Sequence, residues 1–169
     1  MRHIISILLQ NEAGALSRVA AMFSARGYNI ESLTVAATHH PEVSRLTLVT
    51  AGDDAVIAQI INQSRKLVDV LEIADLTSRG HLESELLIVK VVATPHNQAA
   101  IADFTQARGG SVLDASGCTR TLQFAGDAAH VSAVLADLGA VADVLEIARS
   151  GTAALERGEA VLALPGQGS

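Results

Sequence analysis

The alternation of apolar and polar positions divides the chain into two similar halves. In the first half, a strand pattern from His3 to Leu9 precedes a helical pattern with apolar side chains three and four positions apart. Residues 28–37 and 43–51 predict a β-hairpin, and a helix beginning near Asp53 and a strand over 67–76 follow it. The predicted order of the first half is therefore βαββαβ.

The second half repeats this order. The most direct sign is the hexapeptide Asp-Val-Leu-Glu-Ile-Ala, which occurs at 69–74 and again at 143–148, in the last predicted strand of each half. The spacing between glycines is shorter in the second half, so its hairpin is predicted to be shorter. Strands and helices are predicted there at 85–93, 97–108, 111–116, 118–125, 127–138 and 143–149.

Two βαββαβ units predict an α+β fold with two ferredoxin-like antiparallel sheets, each with both helices on one face. The predicted domains are 1–77 and 84–151, joined by a linker at 78–83 and followed by a tail at 152–169 that is expected to fray. Units of this size leave sheet edges uncovered, so pairing with a second copy is expected.

Composition excludes several classes of function. The chain is 49% hydrophobic with 18% charged residues, as expected for a folded protein, and it has three Phe, one Tyr and no Trp. Its net charge is −6 and its basic residues are scattered, so nucleic-acid binding is not expected. The first apolar run is too short for a signal or membrane segment, which predicts a cytoplasmic protein. Cys118 stands alone and is predicted to be a small core residue.

No arrangement for catalysis or metal binding is evident. The six histidines form no zinc-binding spacing, and there is no Cys-x-x-Cys. His39 and His40 are adjacent in the predicted hairpin loop, where a solvated loop is a simpler interpretation than a metal site. No serine lies in a Gly-x-Ser-x-Gly elbow. No catalytic residue is predicted.

The segment 11–16 joins a buried strand to a helix N-terminus, where free backbone N–H groups and the helix dipole favour an anion such as an amino-acid carboxylate. Gly14 would let a ligand approach the backbone, Asn11 offers a donor and an acceptor, and Ala13 and Ala15 keep the entrance small. Alternatively, Asn11 only caps the turn and Gly14 only relaxes it. The residue types alone leave both interpretations open.

Longer segments resemble a known family. Residues 11–19 (NEAGALSRV), 26–35 (RGYNIESLTV), 66–70 (KLVDV) and 148–151 (ARSG) resemble the acetolactate (acetohydroxyacid) synthase small-subunit family and its ACT domain. The resemblance extends over essentially the whole chain. Many ACT domains have proline where this chain has Ala13, a departure that reduces the rigidity of the turn.

The resemblance implies a non-catalytic regulatory subunit. Such a subunit activates a separate catalytic large subunit and confers feedback inhibition by valine on branched-chain amino acid biosynthesis (valine, leucine, isoleucine). It implies no cofactor in this chain, with thiamine diphosphate, Mg and FAD on the catalytic partner. The second domain and the apolar residues 161–164 are candidate surfaces for that partner.

The resemblance also implies a composite effector site in a homodimer, between the 11–16 turn of one copy and the second strand of the other. Asn29 is alternatively an ordinary exposed turn residue. The second half has Thr-Pro-His-Asn at 94–97 and no corresponding glycine, so two sites per dimer are expected. The implied effector-binding residues are Asn11, Ala13, Gly14, Ala15 and Leu16 of one copy with Asn29 and Ile30 of the other.

Two other functions remain open. An ACT-type amino-acid-responsive regulator of transcription, or of another enzyme, would share this fold, but a transcriptional role needs a DNA-binding partner because the acidic chain has no helix-turn-helix candidate. A small enzyme on the same fold is the other alternative. The residue types do not identify the effector, because branched-chain amino acids differ by only about 1–3 kcal/mol in an apolar pocket.

Overall fold

The computed structural model describes residues 1–166 and divides the chain into two compact units. The first unit comprises residues 1–82 together with the tail from Thr152 onward, and the second comprises Glu83–Gly151. Each contains a βαββαβ arrangement with an antiparallel sheet, which confirms the predicted fold class. The predicted linker at 78–83 already contains the beginning of a strand, because β5 (His81–Val92) starts within it.

The first unit buries an aliphatic core between its sheet and two helices. Its elements are β1 (Arg2–Gln10), α1 (Ala15–Ala25), β2 (Ile30–Ala37), β3 (Val43–Ala51), α2 (Asp54–Ser64) and β4 (Val70–Asp75). The strand order is β2-β3-β1-β4, and neighbouring strands are antiparallel. Alternate side chains of β1 and β3 face the helices, as period-two alternation requires. The core includes Ile5, Ile7, Leu9, Leu46, Leu48, Val19, Phe23, Ile57 and Ile60.

The second unit has the same order of elements. It contains β5, α3 (Gln98–Ala107), β6 (Ser111–Asp114), β7 (Thr119–Gly126), α4 (Ala128–Leu138) and β8 (Val144–Arg149), in the strand order β6-β7-β5-β8. β6 has 4 residues where β2 has 8, so the second hairpin is shorter, as predicted. The prediction for Cys118 was wrong: it is exposed, because the strand begins one residue later and leaves it in the preceding turn.

The tail packs against the first unit, so fraying was the wrong expectation for most of it. The tail contains a further strand, β9 (Ala153–Glu156), and its residues Ala154 and Leu162 contact the face of the first sheet that points away from the helices. The Thr152 N–H donates to Ser32 Oγ at 3.1 Å. That face carries Ile4, Val49, Ala74 and Leu76 and needs apolar cover. Residues 167–169 lie outside the described residues.

The repeated hexapeptide adopts the same register in both units but is buried differently. Ile73 pairs with Ile7 and Ile147 pairs with Val89, with a register shift at the same place in each strand. Ile73 is 2% exposed, whereas Ile147 is 50% exposed. The reason is helix placement, because α2 packs on β4, whereas α4 packs on β7. The identical sequence therefore determines how the strand pairs, but not whether a helix covers it.

Candidate effector site

The turn between β1 and α1 leaves an open helix N-terminus. Gly14 is the N-cap residue, with φ +89°, and no side chain caps the helix. The Arg18 N–H donates to Gly14 O at 2.9 Å, and the Ala15 N–H donates to Glu12 O at 3.2 Å. Because the first N–H groups of a helix have no intrahelical acceptor, the N–H groups that follow are available to an anion.

Asn11 attaches this turn to the loop between β2 and β3. Its N–H donates to Glu42 O at 2.7 Å, and its Nδ2 donates to Pro41 O at 2.8 Å. The side-chain donor is therefore used to fix the turn, as the capping interpretation requires. Among residues 1–166, no donor contacts Asn11 Oδ1. One acceptor thus remains for a cationic group such as an ammonium.

Exposure separates the predicted site residues into two groups. Asn11, Ala13 and Gly14 are exposed, and Leu16 is 39% exposed. Ala15 is only 3% exposed, so its side chain packs inward. The apolar side chains at the entrance are consequently those of Ala13 and Leu16, and Ala15 can contribute only backbone atoms.

Arg18 was not among the predicted site residues, yet it lies beside the turn. Its Nε and Nη2 donate to Asp69 Oδ2 and Oδ1 at 2.5 and 2.7 Å. Its remaining nitrogen, Nη1, lies 2.8 Å from the position that a Cβ on Gly14 would occupy. A cationic donor is therefore held next to the open helix N-terminus. The sequence signal was slight, since the two members of the ion pair are 51 residues apart.

The ion pair remains charged near neutral pH. The hydrogen bonds from Arg18 are the main reason that the pKa of Asp69 is lowered from its ordinary value, and the same bonds raise the pKa of Arg18. Asp69 also holds β1, because its backbone carbonyl accepts from the Gln10 N–H at 2.9 Å. The carboxylate thus fixes Arg18 beside the turn, and its backbone fixes the strand that leads into the turn.

We expect Asp69→Asn to lower the Tm of the first unit by about 2–4 °C at pH 7. A carboxyl with a lowered folded-state pKa contributes stability above its ordinary pKa, about 4, and this contribution is lost as pH falls through the folded value. The difference between variant and parent should therefore shrink as pH falls below about 4. Calorimetry from pH 7 to pH 3 measures this.

The repeat supplies a matched control for that measurement. Asp143 begins the second copy of the hexapeptide, and its backbone carbonyl accepts from the Val92 N–H at 2.9 Å, as that of Asp69 does from Gln10. Its side chain is exposed. Asp143→Asn should leave the decrease in Tm at low pH unchanged. Equal effects of the two substitutions would show that the Arg18 ion pair does not stabilise the fold.

Asn29 and Ile30 lie at the other end of the first sheet. Ile30 pairs with Thr50, which pairs with His3 near the beginning of β1, whereas the 11–16 turn follows the end of β1. The seven residue-to-residue steps from His3 to Gln10 span about 24 Å. One copy of the chain therefore does not bring Asn29 and Ile30 to the turn.

The edge next to these residues is apolar. β2 is an edge strand, and its helix-facing side chains Leu33 and Val35 are 36% and 38% exposed. Leu16 of α1 is a third apolar side chain of this unit that is more than one-third exposed. Exposed edge strands pair readily with other chains. Leu16, Leu33 and Val35 are called the edge strip below.

The corresponding turn of the second unit also leaves its helix without a side-chain cap, but the side-chain amide of Asn97 is engaged within the turn. Asn97 Oδ1 accepts from the Thr94 N–H at 2.7 Å and from Thr94 Oγ1 at 3.1 Å, and its Nδ2 donates to Val92 O at 3.2 Å. This turn contains no glycine. Both polar atoms of the Asn97 side chain are hydrogen-bonded within the turn. The turn also lacks the glycine that, in the first unit, lets a ligand approach the backbone closely.

The described part of the chain shows neither a metal-binding cluster nor a membrane-spanning helix. Across residues 1–166, no group of three or more His, Cys, Asp or Glu side chains is arranged to hold a metal ion. His39 and His40 contact each other, with ring centroids 4.1 Å apart. Within the same residues, no helix has the length and apolar character needed to cross a membrane.

Comparison with known proteins gives consistent matches over both units. Residues 5–72 match the family described as the AHAS small subunit-like ACT domain, and residues 84–158 match the family described as the small subunit of acetolactate synthase. The acetolactate synthase isozyme 3 small subunits of Salmonella typhimurium and Escherichia coli are 45% and 44% identical, each over 96% of this chain and 99% of the relative.

A solved structure agrees with these matches. The acetolactate synthase small subunit from Thermotoga maritima superimposes with a TM-score of 0.86 at 31% identity, covering 95% of this chain and 99% of that one. The similarity therefore extends through both units and most of the tail rather than being confined to the first domain. This chain belongs to the acetolactate synthase small-subunit family.

Proposed function

We propose that this chain is a regulatory subunit that activates a separate acetolactate synthase catalytic subunit and makes it sensitive to feedback inhibition by valine. Catalysis, and with it thiamine diphosphate, Mg and FAD, belongs to that partner. The observation that carries the proposal is the uncapped N-terminus of α1 with Arg18 Nη1 beside Gly14. The relatives' names supply the identity of the enzyme.

The chemistry of the turn suits a free amino acid. Its carboxylate would accept from the first N–H groups of α1 and from Arg18 Nη1, and its ammonium would donate to Asn11 Oδ1. An aliphatic side chain would lie against Ala13 and Leu16. Each of these groups is fixed before a ligand arrives, Arg18 by Asp69 and Asn11 by the backbone of Pro41, so little ordering cost is expected on binding.

The site is proposed to be completed by a second copy. Asn29 and Ile30 lie far from the turn in one copy, but α1 runs from the turn back toward them. A two-fold axis beside α1 and β2 would therefore bring the turn of one copy opposite Ile30 of the other and bury both edge strips. An effector at such an interface can act on the catalytic partner only through different affinities for two arrangements of the dimer.

We expect two valine molecules to bind per homodimer. The turn of the second unit has its amide engaged by Thr94 and has no glycine, so it should not bind the effector. Titration calorimetry on the full chain, with the dimer concentration established by light scattering, gives the stoichiometry directly. Four equivalent sites per dimer would contradict the assignment of binding to the first unit alone.

Reconstitution with the cognate catalytic subunit tests the proposed function. Acetolactate formation should rise when this chain is added, and valine should then suppress it. The chain alone should form no acetolactate. Leucine and isoleucine, tested in parallel, identify the effector. Failure to raise the activity of the catalytic subunit, with both proteins folded, would refute the regulatory role.

A further inference from the structure

A pocket outside the proposed effector site lies on the face of the first sheet that points away from the helices. It has a volume of about 310 Å³ and lies between the strands β1 and β3, the β2–β3 loop and the tail. All of it belongs to the first unit. Its size is at the lower end of the range for small-molecule sites. Its lining includes Leu8, His39, His40, Val43, Arg45 and Leu162.

Arg45 is the charged residue of this lining, and it is poorly satisfied. It pairs across the sheet with Leu8 and is flanked by Ala36, so no acidic residue is its direct neighbour on either strand. Its Nε is inaccessible to solvent, and no described residue accepts a hydrogen bond from it. Burial lowers the pKa of Arg45, and no acidic group among residues 1–166 offsets this effect. Because a half-buried cation without such a partner is costly, an anion placed beside Arg45 would be stabilised.

The remainder of the lining is mostly apolar and contains no acid. Leu8 and Val43 are 5% and 4% exposed, and the tail contributes Val161, Leu162, Ala163 and Leu164. The two histidines add polar ring nitrogens at the loop side. Because no lining residue is Asp or Glu, an ammonium group would have no anionic partner in the pocket. The lining therefore favours an aliphatic acid over an amino acid.

The loop wall of the pocket is fixed in place. The Thr38 hydroxyl lies within hydrogen-bond distance of two carbonyl oxygens, His40 O at 3.2 Å and Val43 O at 3.0 Å, and it accepts from the His40 N–H at 3.1 Å. The same loop accepts both hydrogen bonds from Asn11. The pocket thus has one rigid wall and one wall made by the tail. The rigid wall continues into the 11–16 turn, which is called the effector turn.

From these observations we infer a second small-molecule site, which binds a short aliphatic carboxylate with its carboxylate on Arg45 and its hydrocarbon chain against Leu8, Val43 and Leu162. The tail forms part of this site rather than serving only as cover for the sheet. The site differs from the proposed effector turn in its ligand class, because its lining provides a cation and apolar surface but no carboxylate to pair with an ammonium group.

The probe is 3-methylbutanoate, titrated into the full chain and followed by calorimetry and by the methyl NMR signals of Leu8 and Leu162. We expect saturable binding in the millimolar range or tighter. The neutral amide of the same acid, which has the same shape, should bind at least tenfold more weakly. This comparison uses the unaltered protein. Equal binding of acid and amide, or no binding of the acid, would overturn the proposal.

Three variants locate the binding. Arg45→Gln should weaken binding of 3-methylbutanoate at least tenfold, whereas Arg65→Gln, which alters an exposed arginine of the same unit, should not. Gly14→Asp should also leave it unchanged, and this separates the pocket from the effector turn even if valine proves not to be the effector. Circular dichroism verifies folding of each variant. Unchanged affinity in folded Arg45→Gln, or lost affinity in Gly14→Asp, would refute the assignment.

Discussion

Gly14→Asp is expected to fold, to activate the catalytic subunit and to lose at least tenfold in sensitivity to valine. The new carboxylate would lie next to Arg18 Nη1 and the free N–H groups of α1, where the carboxylate of the effector is proposed to bind. Two like charges about 4 Å apart near a protein surface repel by roughly 4 kcal/mol, well above the 1.4 kcal/mol of a tenfold change. Inhibition curves of the reconstituted enzyme measure the effect.

The fold should tolerate this substitution. Gly14 has φ +89°, a region that costs other residues about 1–2 kcal/mol but that Asp and Asn enter more readily than most. A Cβ would contact Nη1 at the end of the Arg18 side chain, which is 47% exposed and can shift slightly while its other two nitrogens stay paired with Asp69.

Two control variants distinguish the effect of the new carboxylate charge from the effect of backbone strain. Gly14→Asn has the same shape without the charge and should retain more valine sensitivity than Gly14→Asp. Gly27→Asp introduces the same residue at the other end of α1, where φ is +68° and nothing lies within 4 Å of the new Cβ, and it should behave like the parent. If Gly14→Asp remained as sensitive to valine as the parent, the effector turn would be wrongly assigned.

The order of elements could be predicted because it depends on local pattern. Alternating apolar residues, helical spacing and two copies of one hexapeptide were enough to give both βαββαβ units. What the pattern does not encode is which surface covers an element. Ile73 and Ile147 occupy equivalent positions in identical segments, yet one is buried and the other half exposed, because the helices above them lie differently.

The same reason explains why the sequence alone did not predict the role of Arg18 or the packing of the tail. The turn itself was visible as a strand-to-helix junction with glycine, but the role of Arg18 depends on Asp69, which reaches it only in the folded unit. The four residues of β9 are too short a run to predict a strand, and Leu162 finds its neighbours on the first sheet, more than eighty residues earlier in the chain. Contacts over such separations require the tertiary fold.

The second large effect, on self-association and valine binding, is expected from substitutions in the edge strip. Replacing Leu33 and Val35 together by lysine should weaken self-association of the chain at least a hundredfold and abolish valine binding with it. In the proposed dimer each lysine would be desolvated opposite an apolar surface, and an unpaired buried charge costs several kcal/mol. In the separate chain both positions are more than one-third exposed on an edge strand, where lysine is well tolerated. Sedimentation velocity and titration calorimetry measure the two effects on one preparation.

The control is Val68→Lys, which adds a charge at a position that is 81% exposed in the loop after α2, and it should remain dimeric and bind valine. The decisive comparison is between dimerisation and binding. If the doubly substituted chain were monomeric but still bound valine with the affinity of the parent, the turn alone would form the site. Asn29 and Ile30 of a second copy would then have no part in it. Joint loss of both properties is the result that a site shared between two copies requires.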